Sequence, residues 1–336
     1  MCTAVGTATA QAPNGPAAAP ARAASSTGST SSPARLSDGT AVDSAAAASR
    51  VRDYWTPERM KDAIPLDVPE PATPPPSSTG TAGTPTDAPV IGAPGRTPPA
   101  APTVTGRDGS RDQRDQRDPR VTESAVVGKV FFTDPTDGQD HVCTGSALNS
   151  PSKQLVITAG SCVHGGQGRT WMTNWVYAPQ YRSGSYPFGT FAAKDFRTFI
   201  AWTDSSAPGR DVGVVTTWPQ DGTRLVDATG GQGFAWDFHQ NVQVMVLTYS
   251  LDRSNGEIQQ WCSTTTTQGF FPSTIGIYCK LGSRAPGGPW LQQFDDPTGL
   301  GYVNGLLTAI DCSGFNQSPY FDDAVKSMVD AQGSAT

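Results

Sequence analysis

The large aromatic side chains of this 336-residue chain are confined almost entirely to its second part. Residues 121–336 hold 27 of the 29 Phe, Trp and Tyr residues, whereas residues 1–120 hold only Tyr54 and Trp55, together with 18 of the 29 prolines. So few large apolar groups cannot offset roughly 1–2 kcal/mol of backbone entropy per ordered residue. We therefore expect residues 1–120 to form a largely disordered arm rich in Ala, Pro, Ser and Thr, followed by one folded domain over residues 121–336.

Charge divides between the same two parts. The arm carries 12 basic and 12 acidic residues, so the formal net charge of -6 belongs to the domain. The dense charge run at residues 111–118 alternates in sign and is typical of a solvated linker. This distribution excludes a nucleic-acid-binding surface. No stretch of about 20 apolar residues is present, so we expect no membrane span.

Short apolar runs fill the domain and are separated by Gly, Asp, Asn and Pro. They lie at 126–132, 155–158, 212–215, 242–247 and 301–307. Many short strands with turn signals between them predict an all-β sandwich or barrel. A single helix is predicted near the C-terminus, opened by Ser318-Pro319 and continuing through 321–329.

Four segments carry a family resemblance. They are Cys143-Thr144-Gly145-Ser146, Thr158-Ala159-Gly160-Ser161-Cys162, Arg210-Asp211-Val212-Gly213-Val214-Val215 and Pro286-Gly287-Gly288-Pro289-Trp290-Leu291. The first segment resembles the opening of the first barrel in trypsin-like serine proteases of the secreted bacterial type. The other three, in this order, resemble the regions of the base, the acid and the nucleophile in that family. The resemblance covers roughly residues 124–330. It implies two antiparallel six-stranded Greek-key β-barrels of the chymotrypsin-like fold and a C-terminal helix.

Two of the three catalytic positions carry the wrong side chain for the chemistry. Ser161 stands at the position of the histidine base, and a hydroxyl cannot accept a proton near neutral pH. Pro286 stands at the position of the nucleophilic serine, where it has neither a hydroxyl nor a backbone N–H. In the family that amide is one of two oxyanion donors, so the resemblance implies that half of the oxyanion hole is lost as well. Asp211 alone retains its catalytic residue type.

Other residues could line or rebuild the site. By their place in the family pattern, the oxyanion and pocket regions would include Lys280, Arg284, Gly287, Asn304 and Gly305. A lysine near the base of the specificity pocket would favour an acidic ligand group, although a solvated lysine is the more ordinary interpretation.

Substitutes for the lost catalytic groups are scarce. Ser283 is a weak candidate nucleophile because the Gly-Gly pair that exposes a serine does not follow it. His141, His164 and His239 are scattered without a metal-ligand spacing and are interpreted as surface or structural residues. We therefore expect no metal and no cofactor.

The cysteines indicate a compartment. The resemblance implies disulfides between Cys143 and Cys162 and between Cys262 and Cys279, which form in an oxidising environment. We therefore expect a secreted protein, although residues 1–6 lack the charged start and apolar segment of a signal peptide. Cys2 and Cys312 remain; a bridge between them is weakly motivated, and a lipid anchor at Cys2 is the less favoured interpretation.

One segment of the arm differs from the rest. A short helical island is predicted over 50–65, because Thr56 and Pro57 form a helix start and Pro65 stops it. The segment is similar to one that precedes the protease domain in secreted bacterial relatives. There it would dock on the barrel or act as a pro-segment, and a fluctuating helix in a tail is the alternative.

Two functions follow from these residues. The preferred interpretation is a secreted pseudoprotease, a non-catalytic module whose residual cleft binds a peptide, a protein or a cell-surface polymer. The alternative is an active serine-type hydrolase with a rebuilt catalytic site. The sequence indicates no oligomeric state.

Overall fold

A computed structural model describes residues 27–66, 92–104, 123–250, 254–281, 286–310 and 314–335. The arm contributes β1 (Ser29–Pro33), α1 (Ala45–Tyr54), α2 (Pro57–Asp62), β2 (Ile64–Pro65) and β3 (Gly95–Thr97). The domain begins with β4 (Val127–Thr133), β5 (Asp140–Leu148), β6 (Leu155–Thr158), β7 (Thr173–Pro179), β8 (Phe191–Phe199), α3 (Ile200–Ser205) and β9 (Gly213–Thr217). It continues with α4 (Leu225–Thr229), β10 (Gly233–Trp236), β11 (Gln243–Thr248), β12 (Gln260–Thr265), β13 (Thr267–Gln268), β14 (Thr274–Tyr278), β15 (Pro289–Asp295), β16 (Leu300–Leu306), β17 (Ala309–Ile310), β18 (Phe315–Pro319) and α5 (Asp323–Gly333).

Strands β4 to β9 form a closed antiparallel barrel. The strands are paired in the order β8-β7-β4-β5-β6-β9, and pairing of β8 with β9 closes the ring. Every residue of β4 is buried, on the outside of the barrel as well as inside. The outside is covered in part by the arm, since the ring of Trp55 lies 5.5 Å from that of Phe131.

The second half of the domain consists of two sheets whose strands pair antiparallel, except for the parallel pair of β10 and β16. One has the strand order β12-β11-β15-β16-β10-β3, and the other has the order β13-β14-β18-β17. The disulfide between Cys262 on β12 and Cys279 just after β14 joins them. Val246, Ile277 and Trp290 fill a buried core of this half. The all-β, chymotrypsin-like architecture expected from the sequence is thus confirmed.

The arm is more ordered than its composition predicts. Strand β1 pairs antiparallel with β8 over its full length, and helix α1 buries Ala48 and Val51. The indole N–H of Trp55, a residue only 3 % exposed, donates to the carbonyl of Asn174. The expectation of disorder is therefore wrong for residues 27–66, because the barrel supplies the apolar surface that the arm lacks. Residues 1–26, 67–91 and 105–122 lie outside the described residues.

Two helix starts illustrate how capping decides boundaries. Helix α2 begins where predicted, with the Thr56 hydroxyl accepting from the N–H of Arg59, but a second helix, α1, precedes it behind the cap Ser44. The C-terminal helix begins later than predicted. Ser318 and Pro319 belong to β18, and the carboxylate of Asp322 caps α5 by accepting from the N–H groups of Ala324 and Val325.

Within the described part of the chain, no helix has both the length and the apolar character needed to cross a membrane.

Candidate functional site

Ser161 and Asp211 lie side by side between two strand ends of the first barrel. Ser161 sits in the 3-10 turn Gly160–Cys162 after β6, and Asp211 precedes β9, the strand that pairs with β6. The backbone N–H of Ser161 donates to Oδ1 of Asp211 at 2.7 Å. Its hydroxyl lies 3.4 Å from Oδ2, which is long for a hydrogen bond between a hydroxyl and a carboxylate. A side chain on Gly160 would be crowded here, since an added Cβ would lie 3.0 Å from Oδ1 of Asp211.

Asp211 is a buried carboxylate that forms no ion pair with any cation of the described residues. It is only 2 % exposed, and burial raises its pKa from the ordinary 3.8 to about 7, against the opposing effect of the hydrogen bonds from Ser161 and Gly160. The neighbouring Arg210 does not neutralise it, because its guanidinium donates to both carboxylate oxygens of Asp322, at 3.0 and 2.7 Å. That ion pair ties the turn before Asp211 to helix α5.

The turn that carries Pro286 packs against the corner of the first barrel that holds Ser161 and Asp211. The carbonyl of Pro286 accepts from the N–H of Thr144 at 2.8 Å and lies 3.7 Å from Sγ of Cys162. Cys162 is bonded to Cys143, as expected from the sequence. The predicted nucleophile and base positions therefore flank one disulfide, with Ser161 adjacent to it in sequence and Pro286 in contact with it.

The oxyanion side of this turn offers few donors. Pro286 has no N–H, and the N–H of Gly287 donates to the carbonyl of Leu307 at 2.7 Å. Gly287 has a φ of +94°, and a Cβ added to it would lie 2.0 Å from the carbonyl oxygen of Thr144. Glycine is therefore required for the turn to approach the barrel. Arg284, predicted at the oxyanion position, and Ser283, the candidate substitute nucleophile, lie outside the described residues.

The predicted pocket residues are placed differently from one another. The side chain of Asn304 is buried and donates to the carbonyl of Ala235 at 3.2 Å, so its amide joins β16 to β10. Gly305 packs against β18, where an added Cβ would lie 2.7 Å from the hydroxyl of Ser318. Lys280 is exposed. These contacts give Asn304 and Gly305 structural tasks within the second half of the domain.

Each histidine has its own environment, and in the described part of the chain none hydrogen bonds to Asp211. His164 is buried, accepts from the N–H of Gly166 at 3.1 Å and packs edge-on against Trp171; burial lowers its pKa. His141 lies 2.9 Å from the carboxylate of Asp137. His239 is exposed.

One grouping of ligand-type side chains was missed by sequence reasoning. Asp134, Asp137 and His141 place one ligand-type atom each within 4.8 Å of one another in the turn between β4 and β5. The carboxylates already accept from the N–H groups of Thr136 and Gln139, as in polar turns. The Asp-rich spacing in 134–141 is the signal that could have indicated the grouping. These hydrogen bonds account for the conformation of the turn, and we do not assign the grouping to a metal site.

A second missed feature is an ionic contact between the two halves of the domain. Lys129 on β4 is only 4 % exposed. Its ammonium lies 2.9 Å from a carboxylate oxygen of Glu257 and 4.3 Å from the centre of the Tyr181 ring. Burial lowers the pKa of Lys129, and Glu257 opposes that shift. The pair fixes the second half of the domain against the first barrel.

Within the described residues, the corner brings a carboxylate and a hydroxyl together, and no imidazole hydrogen bonds to that carboxylate. A serine protease needs an attacking hydroxyl, an imidazole that takes up its proton, and N–H donors for the oxyanion. The side chains at 161 and 286 supply neither the imidazole nor the attacking hydroxyl at its usual place. The disulfide Cys143–Cys162, the ends of β6 and β9 and the Asp211 carboxylate surround these two positions.

Similar proteins are found among curated sequences and among solved structures. No family model matches the chain. Among curated proteins, an extracellular metalloprotease of Bacillus subtilis (strain 168) is 32 % identical over 81 residues, which are 24 % of this chain and 25 % of that protein. The aligned region thus spans only about a quarter of the length of this relative.

Solved structures match over a larger region. The protease Anisep from Arthrobacter nicotinovorans is 27 % identical with a TM-score of 0.58, covering 64 % of this chain and 98 % of that one. The thermostable serine protease AL20 from an extremophilic microorganism is 24 % identical with a TM-score of 0.59, covering 64 % of this chain and all of that one. A Glu endopeptidase shares the fold at 18 % identity and a TM-score of 0.52.

Proposed function

We propose that this chain, which shares the chymotrypsin-like fold of trypsin-like serine proteases, is a secreted, non-catalytic member of that family. It binds a peptide or protein without cleaving it. Ser161 and Pro286 stand where the base and the nucleophile would act, and Asp211 is the remaining member of the triad.

The observation that carries the proposal is the environment of Pro286. Its carbonyl and the N–H of Gly287 are both engaged in backbone hydrogen bonds, to Thr144 and Leu307. Proline contributes neither an attacking oxygen nor an oxyanion donor. One residue therefore removes two functions of the site, while the turn around it stays packed in place.

Two observations support an extracellular location. The disulfides Cys143–Cys162 and Cys262–Cys279 are of a kind that persists outside the reducing cytosol. The curated relative from Bacillus subtilis is named as an extracellular protein. Material isolated from culture medium, mapped for its disulfides, would test the location independently of any activity.

A second candidate function is a hydrolase with a rebuilt site, and one contact favours it. An aspartate with a pKa of about 7 lies beside the Ser161 hydroxyl, and a base with such a pKa is suited to act near neutral pH. Burial argues against it, because Ser161 is only 5 % exposed and Asp211 only 2 %. A substrate carbonyl would have to reach a hydroxyl that the barrel covers.

Restoring the missing groups tests the proposal. The double variant Ser161→His with Pro286→Ser supplies the base, the nucleophile and the missing amide together, so we expect it to react with a fluorophosphonate probe, though slowly. Each single variant serves as a control and is expected to stay unlabelled, because these groups act as a unit. Adding Asp211→Asn to the double variant should slow the labelling by disturbing the orientation and tautomer of the histidine.

The result that would contradict the proposal is equally specific. A double variant that folds, as judged by its melting temperature and circular dichroism, yet shows no labelling would mean that 161 and 286 are not the base and nucleophile positions. Labelling by the Pro286→Ser variant alone, at the rate of the double variant, would mean that another group already acts as the base.

A further inference from the structure

A cavity of about 540 Å³ lies in the second half of the domain, away from Ser161, Asp211 and Pro286. It forms where the arm segment 92–104 meets β11, β12 and β15. Sites for small organic ligands typically measure roughly 300–1,000 Å³. Strand β15 begins next to the Pro286 turn, and its first residue in the cavity wall is Leu291. The cavity is therefore separate from the protease-like corner, which is the region of Ser161, Asp211 and Pro286.

The chemistry of the cavity wall is mixed. Met245 and Phe294, both half-buried, provide apolar surface, while Arg96, His239 and Asn241 provide exposed polar groups. No aspartate or glutamate is among the residues that line it. A cavity with an arginine and no carboxylate favours an anionic ligand through charge complementarity.

Arg96 is held in a fixed position by three neighbours. Its guanidinium donates to Oε1 of Gln292 at 2.6 Å. The central carbon of the guanidinium lies 4.3 Å from the centre of the Phe238 ring and 5.2 Å from that of the Tyr302 ring. Contacts with two aromatic rings hold the planar group in one orientation, and this lowers the entropy cost of binding a ligand to it.

Most of the binding capacity of this guanidinium is unused. Arginine has five N–H donors, and the bond to Gln292 is the one side-chain hydrogen bond that Arg96 donates within the described residues. Nor does any carboxylate of those residues form an ion pair with it. The Nε2 amide group of Gln292, a residue 2 % exposed, is also buried without a hydrogen-bond partner. Two donors at one wall therefore lack acceptors.

We propose that this cavity is a binding site for a small organic carboxylate. The carboxylate accepts two parallel hydrogen bonds from the Arg96 guanidinium, the geometry that arginine forms with carboxylates. The apolar part of the ligand lies against Met245 and Phe294. The site is independent of the proposed loss of catalysis, because none of its residues belongs to the protease-like corner.

The test uses the full chain and a matched pair of probes. The first probe is 4-phenylbutyrate, and the second is 4-phenylbutanamide, which has the same apolar body without the charge. Isothermal titration at concentrations up to about 10 mM should detect the carboxylate, with the amide at least about tenfold weaker. No binding of 4-phenylbutyrate, or equal binding of both probes, would overturn the proposal.

Variants locate the binding. Arg96→Gln should weaken 4-phenylbutyrate at least about tenfold, and Arg96→Lys should weaken it less, because it keeps the charge but not the planar fork. Arg50→Gln is the matched control: Arg50 is another exposed arginine of the arm, paired with Asp38, and its loss should leave the affinity unchanged. Ser263→Trp fills the cavity from β12 without touching the arginine and should abolish binding. Unchanged affinity in either Arg96→Gln or Ser263→Trp, with the melting temperature retained, would place the ligand elsewhere.

Discussion

The corner around Asp211 and the cavity around Arg96 each hold an ionisable side chain that forms no ion pair within the described residues, but they differ in burial. Asp211 is 2 % exposed, and burial raises its pKa to about 7 against the opposing effect of hydrogen bonds from Ser161 and Gly160. Arg96 is exposed and lies against two aromatic rings. An unpaired buried carboxylate lowers stability when it ionises, whereas an unpaired exposed arginine keeps its charge and stays available to a ligand.

The difference separates two uses of polar groups in one fold. In the protease-like corner the remaining groups bond to one another and to the backbone, so we expect substitutions there to change the free energy of unfolding. At the cavity the groups face a space large enough for a ligand, so substitutions there should change binding and leave the fold intact.

The largest expected effect is loss of the disulfide beside the corner. Cys143→Ala with Cys162→Ala opens a loop of 19 residues, and the chain-entropy model gives a loss of roughly 3 kcal/mol. The matched control is Cys262→Ala with Cys279→Ala, whose loop of 17 residues is nearly equal. Because Cys143 and Cys162 are fully buried, removing their sulfurs also leaves a cavity, so we expect this pair to cost about 1 kcal/mol more than the other.

Urea unfolding monitored by tryptophan fluorescence measures both losses. A first pair that costs clearly less than the second would mean that the corner is not the more tightly packed of the two regions.

A smaller effect is expected at Asp211 and depends on pH. The folded protein holds the Asp211 proton more tightly than the unfolded chain does, so its ionisation lowers stability as pH rises from about 4 to about 7, with no further loss above that window. Asp211→Asn removes the ionisation and keeps an oxygen that can accept from the Ser161 N–H. We expect the variant to be more stable than the parent by about 2 kcal/mol at pH 8 and to differ little at pH 4.

Urea midpoints at a series of pH values measure this difference. Asp221→Asn, an exposed position, is the control and should follow the parent at every pH. An Asp211→Asn variant that is destabilised equally at pH 4 and pH 8 would mean that Asp211 ionises at its ordinary pKa.

The smallest effect on stability belongs to the cavity. Arg96→Gln removes the contacts with Phe238 and Tyr302 and the hydrogen bond to Gln292, which together are worth about 1.5 kcal/mol at an exposed site. We expect a change in melting temperature of only a few degrees, about 3–6 °C. A loss comparable to that of the first disulfide would mean that Arg96 is a structural residue, and the contrast between the two regions would disappear.

Much of the domain could be predicted from the sequence. The apolar runs at 155–158, 212–215 and 301–307 closely match β6, β9 and β16, because a short strand between turn residues depends on local pattern. The two disulfides were implied by motif resemblance and are confirmed. The motifs also indicated which residues to compare at the corner, and the structure brings Ser161 and Asp211 into contact.

What the sequence did not predict depends on contacts between distant segments. Docking of the 50–65 island on the barrel was one of the alternatives that the sequence offered, but the pairing of β1 with β8 was not, because no count of aromatic residues in the arm can reveal it. The start of α5 is shifted to Asp323 because β18 continues through Pro319 and Asp322 caps the helix. The cavity combines residue 96 with residues between 238 and 294, and no local motif joins them.

The central claim is that the unmodified chain has no serine nucleophile, and covalent labelling with a fluorophosphonate tests it most directly. The full-length protein, purified from a host lacking serine proteases, is incubated with the probe beside active trypsin and analysed by intact mass. We predict no adduct on the chain under conditions that label trypsin completely. A stoichiometric adduct that disappears in Ser161→Ala or in Ser283→Ala would contradict the account and identify the nucleophile of a rebuilt catalytic site.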